Sequence, residues 1–595
     1  MTEPTHLIGD DDSDTSSVTI DNDPDRLYLL SEADFSSPAT PFLSPGSTEI
    51  VDLTEISGEA LLDGDYVTDE CVEILREDWK SSVRVPKSPP QAATPSKKFR
   101  EDACVDGIVY MPGQSVELHD DTFLRISAVW EDSRGEVYFD GRRLLRAKGH
   151  VGTYIPKWSN ELIWVANETM EIALGLVRRF VNIHFTSCCH IDRDEHKISR
   201  PGDLFCRLKE IPEGDMVSVE YVSYHDADPG YAVEARILRQ SWRGETQVFG
   251  SRQDSQQRCP VIVLDEIEET PPHWETVHAR DGRKYTFGDG FCGAGGVSCG
   301  AQNAGLSLQW AFDLSPDAAT TYRLNFDTVE CETSDIFSFL TNDEAFLRVD
   351  ITHGSPPCQT FSPAHTVESK NDDANSACIF SCGNLIRKAK PRVHTMEETS
   401  GLFERHKETF YGVIQDFIET GYSVRWAVLN CMEYGVPQSR KRLIIIASGP
   451  GETLPSLPKP THGLPGSGLQ KLTTINQMIS NIPAGTPDHD VDRARSRAVQ
   501  NQRIPFDANQ QARTITCGGG DNNYHPSGKR GFTNREFACL QTFPLTFRFG
   551  PREVRKQIGN AVPPVLARAI YGEIVRSLQE TDARELHALI HGGSE

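Results

Sequence analysis

The chain has 595 residues, 15 cysteines and a formal net charge of −26. At roughly 150 residues per domain, this length allows three or four domains. The charge is concentrated: residues 1–80 carry 21 acidic and 3 basic side chains, leaving the other 515 at −8, so overall acidity excludes neither DNA nor RNA as a partner.

In chain order, no apolar run approaches the ~18 residues of a membrane helix, and the N-terminus opens without a basic-then-apolar leader. An odd, scattered set of cysteines suits a reducing compartment. These features together predict a soluble intracellular protein. Residues 1–103 are rich in Asp, Ser, Thr and Pro, as in Asp10-Asp11-Asp12-Ser13-Asp14, and bury too little apolar surface to offset chain entropy. They are predicted to be a disordered acidic tail. Lys97-Lys98-Phe99-Arg100 is compatible with a nuclear-import signal and, more simply, with a solvated linker.

Residues 104–265 have the alternating texture of strands, as in Thr122 to Trp130 and Val217 to Val222, punctuated by Asp, Gly and Pro. Within them Cys188, Cys189, His190 and His196 are close enough to suggest zinc. Adjacent cysteines do not readily ligate one tetrahedral ion together, and no CxxC pair supports them, so no metal site is expected.

From about residue 280 short apolar strands alternate with helical patterns, which predicts βαβ units around a parallel sheet. Strands are predicted at 284–287, 308–312, 348–352, 425–429 and 443–447. Phe410, Val413, Ile414, Phe417 and Ile418 follow helical spacing, placing a helix over about 404–420 that Gly421 terminates. Residues 449–512 break the pattern with Pro, Gly and Ser and read as an insertion. Helical pattern resumes near 533, within a last segment of 513–590.

Two segments carry chemistry. Phe287-Gly288-Asp289-Gly290-Phe291-Cys292-Gly293-Ala294-Gly295-Gly296 lies between a strand and a helix, where glycines let backbone amides approach a ligand. Asp313, twenty residues further at a strand end, is placed to bind ribose hydroxyls. A nicotinamide cofactor and S-adenosylmethionine fit this loop equally well. In the second segment, Ser355-Pro356-Pro357-Cys358-Gln359 sets a cysteine directly after a strand, at the rim where open α/β sheets hold ligands. Glu397 and the pair Arg440 and Arg442 follow in order.

Taken together these residues resemble the DNA (cytosine-5) methyltransferases. The resemblance rests on the glycine loop 289–296, Pro356-Pro357-Cys358-Gln359, Glu397, Gln438 to Arg442, Thr533-Asn534-Arg535-Glu536 with Cys539 to Pro544, and Gln557 to Pro564. It implies a Rossmann-like, S-adenosylmethionine-dependent α/β fold, with a catalytic core at 280–448 and 513–590 and a small target-recognition insertion at 449–512. It implies Cys358 as nucleophile, Glu397 at cytosine N3, Arg442 at O2 and Arg440 bracing the catalytic loop, with Gln359 and Ser362 entering the DNA stack. Toward the cofactor it implies Phe291, Gly293, Ala294, Gly295, Gly296 and Pro357. Asp313 would meet the ribose and Asp335 and Ile336 the adenine, with Leu314 standing where the family often has an aromatic, which implies weaker adenine stacking; Asn560 and Ala561 would close the site. No metal is expected.

Where the family usually reads Glu-Asn-Val this chain has Glu397-Glu398-Thr399, which looks like the fungal RID-like branch linked to repeat silencing. Residues 104–265 are similar to a bromo-adjacent homology (BAH) module in Arg125-Ile126, Trp130-Glu131-Asp132 and Asn160-Glu161-Leu162. The implied partners are double-stranded DNA and chromatin proteins such as histones, in the nucleus. An RNA cytosine-5 methyltransferase, and a chromatin-bound scaffold with weakened turnover, are the alternative readings.

Overall fold

The computed structural model describes residues 97–105, 107–147, 160–188, 202–214, 216–243, 284–361, 378–496, 504–517 and 524–591. Residues 1–96 of the expected acidic tail lie outside them, as do Cys189, His190, His196 and Ser362. Cys188 is buried. The basic cluster is not a linker: β1 (Lys98–Arg100) pairs antiparallel with Val129, Trp130 and Glu131, so strand structure lies ahead of the expected boundary at 103. Lys97 stacks 4.3 Å over Trp130 and bonds Glu171, which occupies its charge within the fold.

The N-terminal region is strand-built: β2 (Ser115–Leu118), β3 (Phe123–Glu131), β4 (Val137–Arg146), β5 (Glu161–Ala173), β6 (Val177–Val181), β7 (Leu204–Glu213) and β8 (Met216–Tyr221), followed by α1 (Ala235–Arg243). Its apolar positions, among them Phe123, Leu144, Leu162 and Phe185, gather into a core of their own.

The second half alternates as predicted. It runs β9 (Thr286–Gly290), α2 (Gly296–Asn303), β10 (Ser307–Asp313), α3 (Pro316–Asn325), β11 (Glu330–Thr333), α4 (Ile336–Phe339), β12 (Ile351–Gly354), α5 (Ser381–Ala389) and β13 (Val393–Thr399). It continues with α6 (Ser400–Arg405), α7 (Lys407–Glu419), β14 (Ser423–Asn430) and β15 (Lys441–Ser448). The single helix expected over 404–420 is two, broken at His406, whose backbone leaves the helical region (φ −114°, ψ 53°). Phe410, Val413, Ile414, Phe417 and Ile418 are all buried, so helical spacing marked the inward face correctly. Among the described residues the insertion holds a pair of two-residue strands, His462–Gly463 with Gln470–Lys471, and the short helices α8 (Ile475–Ile479) and α9 (Val491–Ser496); α10 (Asn534–Leu540), α11 (Val554–Asn560) and α12 (Pro564–His591) follow.

The strand order is β11-β10-β9-β12-β13-β15-β14, parallel except for β15, which runs antiparallel to both neighbours. This is a mixed α/β fold with helices on both faces of the sheet. Helices α2 and α12 cover one face with Val297, Ala301, Leu566, Ile570 and Ile574. Helices α5 and α7 cover the other with Ile386, Phe410, Val413 and Phe417. The sheet does not stop at β14. Val217, Ser218 and Val219 of β8 pair with Trp426, Arg425 and Val424, so the strand-built region and the α/β core share one continuous 16-stranded sheet.

Candidate active site

The chain order reverses between β9 and β12, and such a switch point opens a crevice at the carboxyl ends of the strands. The residues singled out from sequence converge there. The glycine loop leaves β9 and turns into α2. Gly295 sits at φ 90°, where a β-carbon would come within 2.5 Å of Phe326, and Gly293 at φ 52° would meet nothing within 4 Å. Close packing thus excludes a side chain at Gly295, and Gly293 faces open space. Phe291 packs edge-on against Phe312 at 5.2 Å. Ala561 and Val562, at the end of α11, lie against Gly296.

Asp313 ends β10. Its Oδ2 accepts from the Gly293 amide at 2.8 Å and its Oδ1 from the Ser315 amide at 2.8 Å, which ties the carboxylate to the loop. Burial pushes this carboxyl up, and the two amides oppose the shift. Leu314 is 55% exposed, and Phe337, on α4 at the neighbouring strand end, is 60% exposed. Open backbone at Gly293, an anchored acid and two uncovered apolar side chains fit S-adenosylmethionine, with its methionine on the loop, its ribose at Asp313 and its adenine against apolar surface.

Two of the expected contact residues open α4. Asp335 caps α4, accepting from the amides of Phe337 at 2.9 Å and Ser338 at 3.0 Å and from the Ser338 hydroxyl at 2.6 Å. Ile336 is 2% exposed, in the core with Trp310 and Phe339. Asp335 stays half-exposed while it caps the helix, and beside it Phe337, which sequence reading missed, presents open apolar surface. Asn560 is exposed, with its Oδ1 2.7 Å from Cys517 Sγ.

Cys358 follows β12 through Pro356 and Pro357, and a turn closes behind it from the Phe361 amide to the Cys358 carbonyl at 3.1 Å. Gln359 is exposed. Burial first, then the charges of Glu398 and Glu397, push the Cys358 thiol up to about 12, against the opposing pull of Arg442 and Arg440. Glu397, near the end of β13, is 5% exposed, and its Oε1 lies 2.6 Å from Arg442 Nε. Among the described residues, the hydrogen bonds of Arg440 run to the C-terminal part of the core. It is 1% exposed and donates to the carbonyls of Ile515, Gly559 and Ala561, each at 3.0 Å. A guanidinium buried this deeply must find acceptors, and here the unpaired carbonyls at the end of α11 supply them.

Successive residues of β13 point to opposite faces. Glu397 shares the α2/α12 side with Thr395, and Glu398 the α5/α7 side with Met396. Glu398 is 0% exposed, its Oε2 accepts from the Thr399 amide at 3.1 Å, and burial holds its carboxyl well above the usual range. Sequence reading also missed His353 and Thr395. The available signal was a polar side chain in each of two short strands that are covered on both faces.

A model of the C-5 cytosine-specific DNA methylase family matches residues 285–502 and 465–576. The type II methyltransferase M.NgoFVII of Neisseria gonorrhoeae is 32% identical over 337 residues, covering 50% of this chain and 88% of the relative. M.AplI of Arthrospira platensis is 30% identical over 315 residues, covering 50% and 87%. The solved methyltransferase EhMeth of Entamoeba histolytica aligns over 50% of this chain and 99% of its own, at 16% identity and a TM-score of 0.37. With the motifs in order along the chain, this chain belongs to the C-5 cytosine-specific DNA methylase family, a DNA methyltransferase whose methyl donor is S-adenosylmethionine.

Proposed function

We propose that the protein methylates cytosine in double-stranded DNA through a covalent bond from Cys358 to C6, and that it serves fungal-type repeat silencing in the nucleus. The observation that carries the chemistry is the meeting of Cys358, Glu397 and Arg442 at one rim of the sheet. C5 of cytosine is a poor nucleophile. Cys358 gives its sulfur electron pair to C6, which loads density onto C5 and N3. Glu397 relieves the charge at N3 with a proton, and Arg442 holds O2. S-adenosylmethionine, when bound, supplies an electrophilic methyl group. Cys358 then leaves as C5 gives up its proton to a base. C6 is inaccessible in a stacked duplex, so the base must flip out, with Gln359 and Ser362 at the vacated place.

The silencing role is supported by Glu397-Glu398-Thr399 and the short insertion, and a chromatin partner such as a histone by the BAH-like strand-built region. A scaffold with weakened turnover is the second reading, favoured by Glu398 where the family has Asn and by a thiol that rests protonated. Transfer of labelled methyl groups from S-adenosylmethionine to DNA and to RNA, with Cys358→Ala as control, tests the proposal. Labelled DNA that depends on Cys358 supports it; label on RNA alone, or none on either, overturns it.

A further inference from the structure

A file of buried polar groups runs through the sheet and ends at Glu397. Tyr571 of α12 lies 2.8 Å from Thr395 Oγ1, which lies 2.9 Å from His353 Nδ1. His353 Nε2 lies 2.6 Å from Ser355 Oγ, and Ser355 donates to Glu397 Oε2 at 3.4 Å, a length typical of catalytic contacts before substrate tightens them. His353, Thr395 and Tyr571 are each under 5% exposed.

The end of the chain fixes its direction. A carboxylate only accepts, so the Ser355 hydroxyl donates to Glu397 and must itself accept from His353 Nε2–H. His353 Nδ1 is then bare and accepts from the Thr395 hydroxyl at 2.9 Å, the shorter of its two acceptors beside the Thr352 carbonyl at 3.4 Å, and Thr395 accepts from Tyr571. Burial drives the His353 imidazole down to about 3, so the ring is neutral and can take these two roles at once.

We infer that His353 and Ser355 are positioning residues that hold Glu397 Oε2 as an acceptor, so that a proton on this carboxyl rests on Oε1. Oε1 is the oxygen that Arg442 holds at 2.6 Å. Arriving cytosine draws Arg442 toward its O2, and the oxygen so released is the one the chain has reserved for N3. Oε2, held by Ser355, is never the donor. Tyr571 is surrounded by apolar side chains such as Phe287, 5.0 Å away edge-on, so the file orients a carboxyl rather than conducting protons to water.

The inference rests on Glu397 serving the base, and the test separates the two ideas. Among the described residues, the charged or titratable groups around Glu397 are Arg442 and Arg440 from β15 and its approach, Cys431 after β14, Cys358 from the loop after β12, and Glu398 from its own strand; His394 neighbours His353, and Asp289 neighbours Tyr571. Ser355→Ala, Ser355→Thr, Thr395→Val and Glu397→Gln are compared in the full chain for kcat, KM and the alkaline limb of the kcat profile. The Glu397 carboxyl is also titrated by carbon-13 resonance in enzyme free of DNA and cofactor. Ser355→Ala should lower kcat roughly tenfold with KM for S-adenosylmethionine unchanged. Because it removes a donor to the carboxylate, it should also move both the carboxyl titration and the alkaline limb to higher pH. Ser355→Thr restores the hydroxyl and should recover both, and Thr395→Val should shift them the same way by less. A merely structural Ser355 would lower kcat without moving either titration, and that result overturns the inference. Full activity in Glu397→Gln removes the reading of Glu397 itself, and the inference with it. An inactive Glu397→Gln beside a Ser355→Ala that matches wild type in rate and titration removes the positioning role alone.

Discussion

Arg442 Nε lies 2.6 Å from Glu397 Oε1, so the two side chains assigned to the adjacent N3 and O2 of cytosine neutralise each other before the base arrives. The register makes this possible: β15 runs antiparallel to β13, which sets Arg442 opposite Thr399, two residues beyond Glu397. Both side chains are largely covered, at 12% and 7% exposure. Arg442→Ala leaves a covered carboxylate without its partner, a change that costs roughly 3–5 kcal/mol when the site is dry. The expected outcome is a lowered melting temperature together with lost methylation. Arg442→Lys should recover much of the stability and little of the activity, because an ammonium cannot span the two positions as a planar guanidinium does. Thermal unfolding beside a methyl-transfer assay checks both; an Arg442→Lys enzyme of normal rate would contradict the assignment to O2.

Cys358 should react slowly at neutral pH. With its thiol pushed up to about 12, the anionic fraction at pH 7 is far below that of a free cysteine, and it grows as pH rises toward that value. Alkylation by iodoacetamide, followed by mass spectrometry of the Cys358 peptide, should therefore accelerate continuously to pH 10 with no plateau near 8. Arg442→Ala, which removes a lowering charge, should slow it further. Cys358→Ser should abolish turnover and keep cofactor binding; normal methylation by that variant would end the nucleophile assignment.

Asp313→Ala should weaken S-adenosylmethionine by about 1.5–3 kcal/mol, roughly ten- to a hundredfold in Kd, the worth of a hydrogen bond to a charged group. The carboxyl also fastens Gly293, so the loop loosens as well. Burial raises this carboxyl, and ribose hydroxyls bind its ionised form, so wild-type affinity should fall as pH drops through the raised value and the variant should lose that dependence. Calorimetry at two pH values reads both effects.

The catalytic rim was legible because its signals are local. Glycines flank a strand end, a thiol follows Pro-Pro, and alternate residues of one strand face opposite ways. The helical face of α7 was legible for the same reason, since five buried residues repeat at its period. What escaped depends on partners distant in sequence. Ser218 and Arg425 become neighbours only when β8 adds to β14, and no periodicity records a pairing across 200 residues. Arg440 read as a loop brace because motif order gives a neighbourhood and not the carbonyls that a buried guanidinium will find. His353 and Thr395 were silent because each looks like an ordinary polar residue until the two strands pair.

That long-range pairing predicts that the α/β core depends on the strand-built region. Without β8 the edge of β14 is an unpaired row of backbone groups beside apolar Val424 and Trp426, a template for aggregation. The seam is reinforced: the Tyr221 hydroxyl donates to the Ile418 carbonyl at 2.6 Å, Glu220 pairs with Arg425, and Arg239 of α1 pairs with Glu585 of α12. Residues 284–595 expressed alone should be aggregated or poorly folded, whereas 97–595 should be monodisperse by size-exclusion chromatography. A soluble, active 284–595 would show that the shared sheet is dispensable.

The last prediction concerns the adjacent carboxyls of β13. Glu397 faces Arg442, and Glu398 faces the other side of the sheet, fully buried, with Oε1 lacking a hydrogen-bond partner among the described residues. Burial first and then the charge of Glu397 hold the Glu398 carboxyl well above its ordinary value of 4.5. The folded chain therefore keeps a proton that the unfolded chain gives up above about pH 4.5. Stability from this group is present below that pH and is lost as pH rises toward the folded value, the reverse of a salt-bridged acid. Glu398→Gln keeps the shape and removes the titration, so its melting temperature should gain on wild type steadily from pH 5 to pH 8. Glu398→Asn, the more usual family residue, should preserve or raise methylation, while Glu397→Gln should collapse it by removing the acid at N3. A paired kinetic comparison on one DNA substrate at fixed salt decides the matter. If Glu398→Asn is the dead variant and Glu397→Gln is active, the catalytic acid is the buried residue on the α5/α7 side, and the pocket must open toward that face.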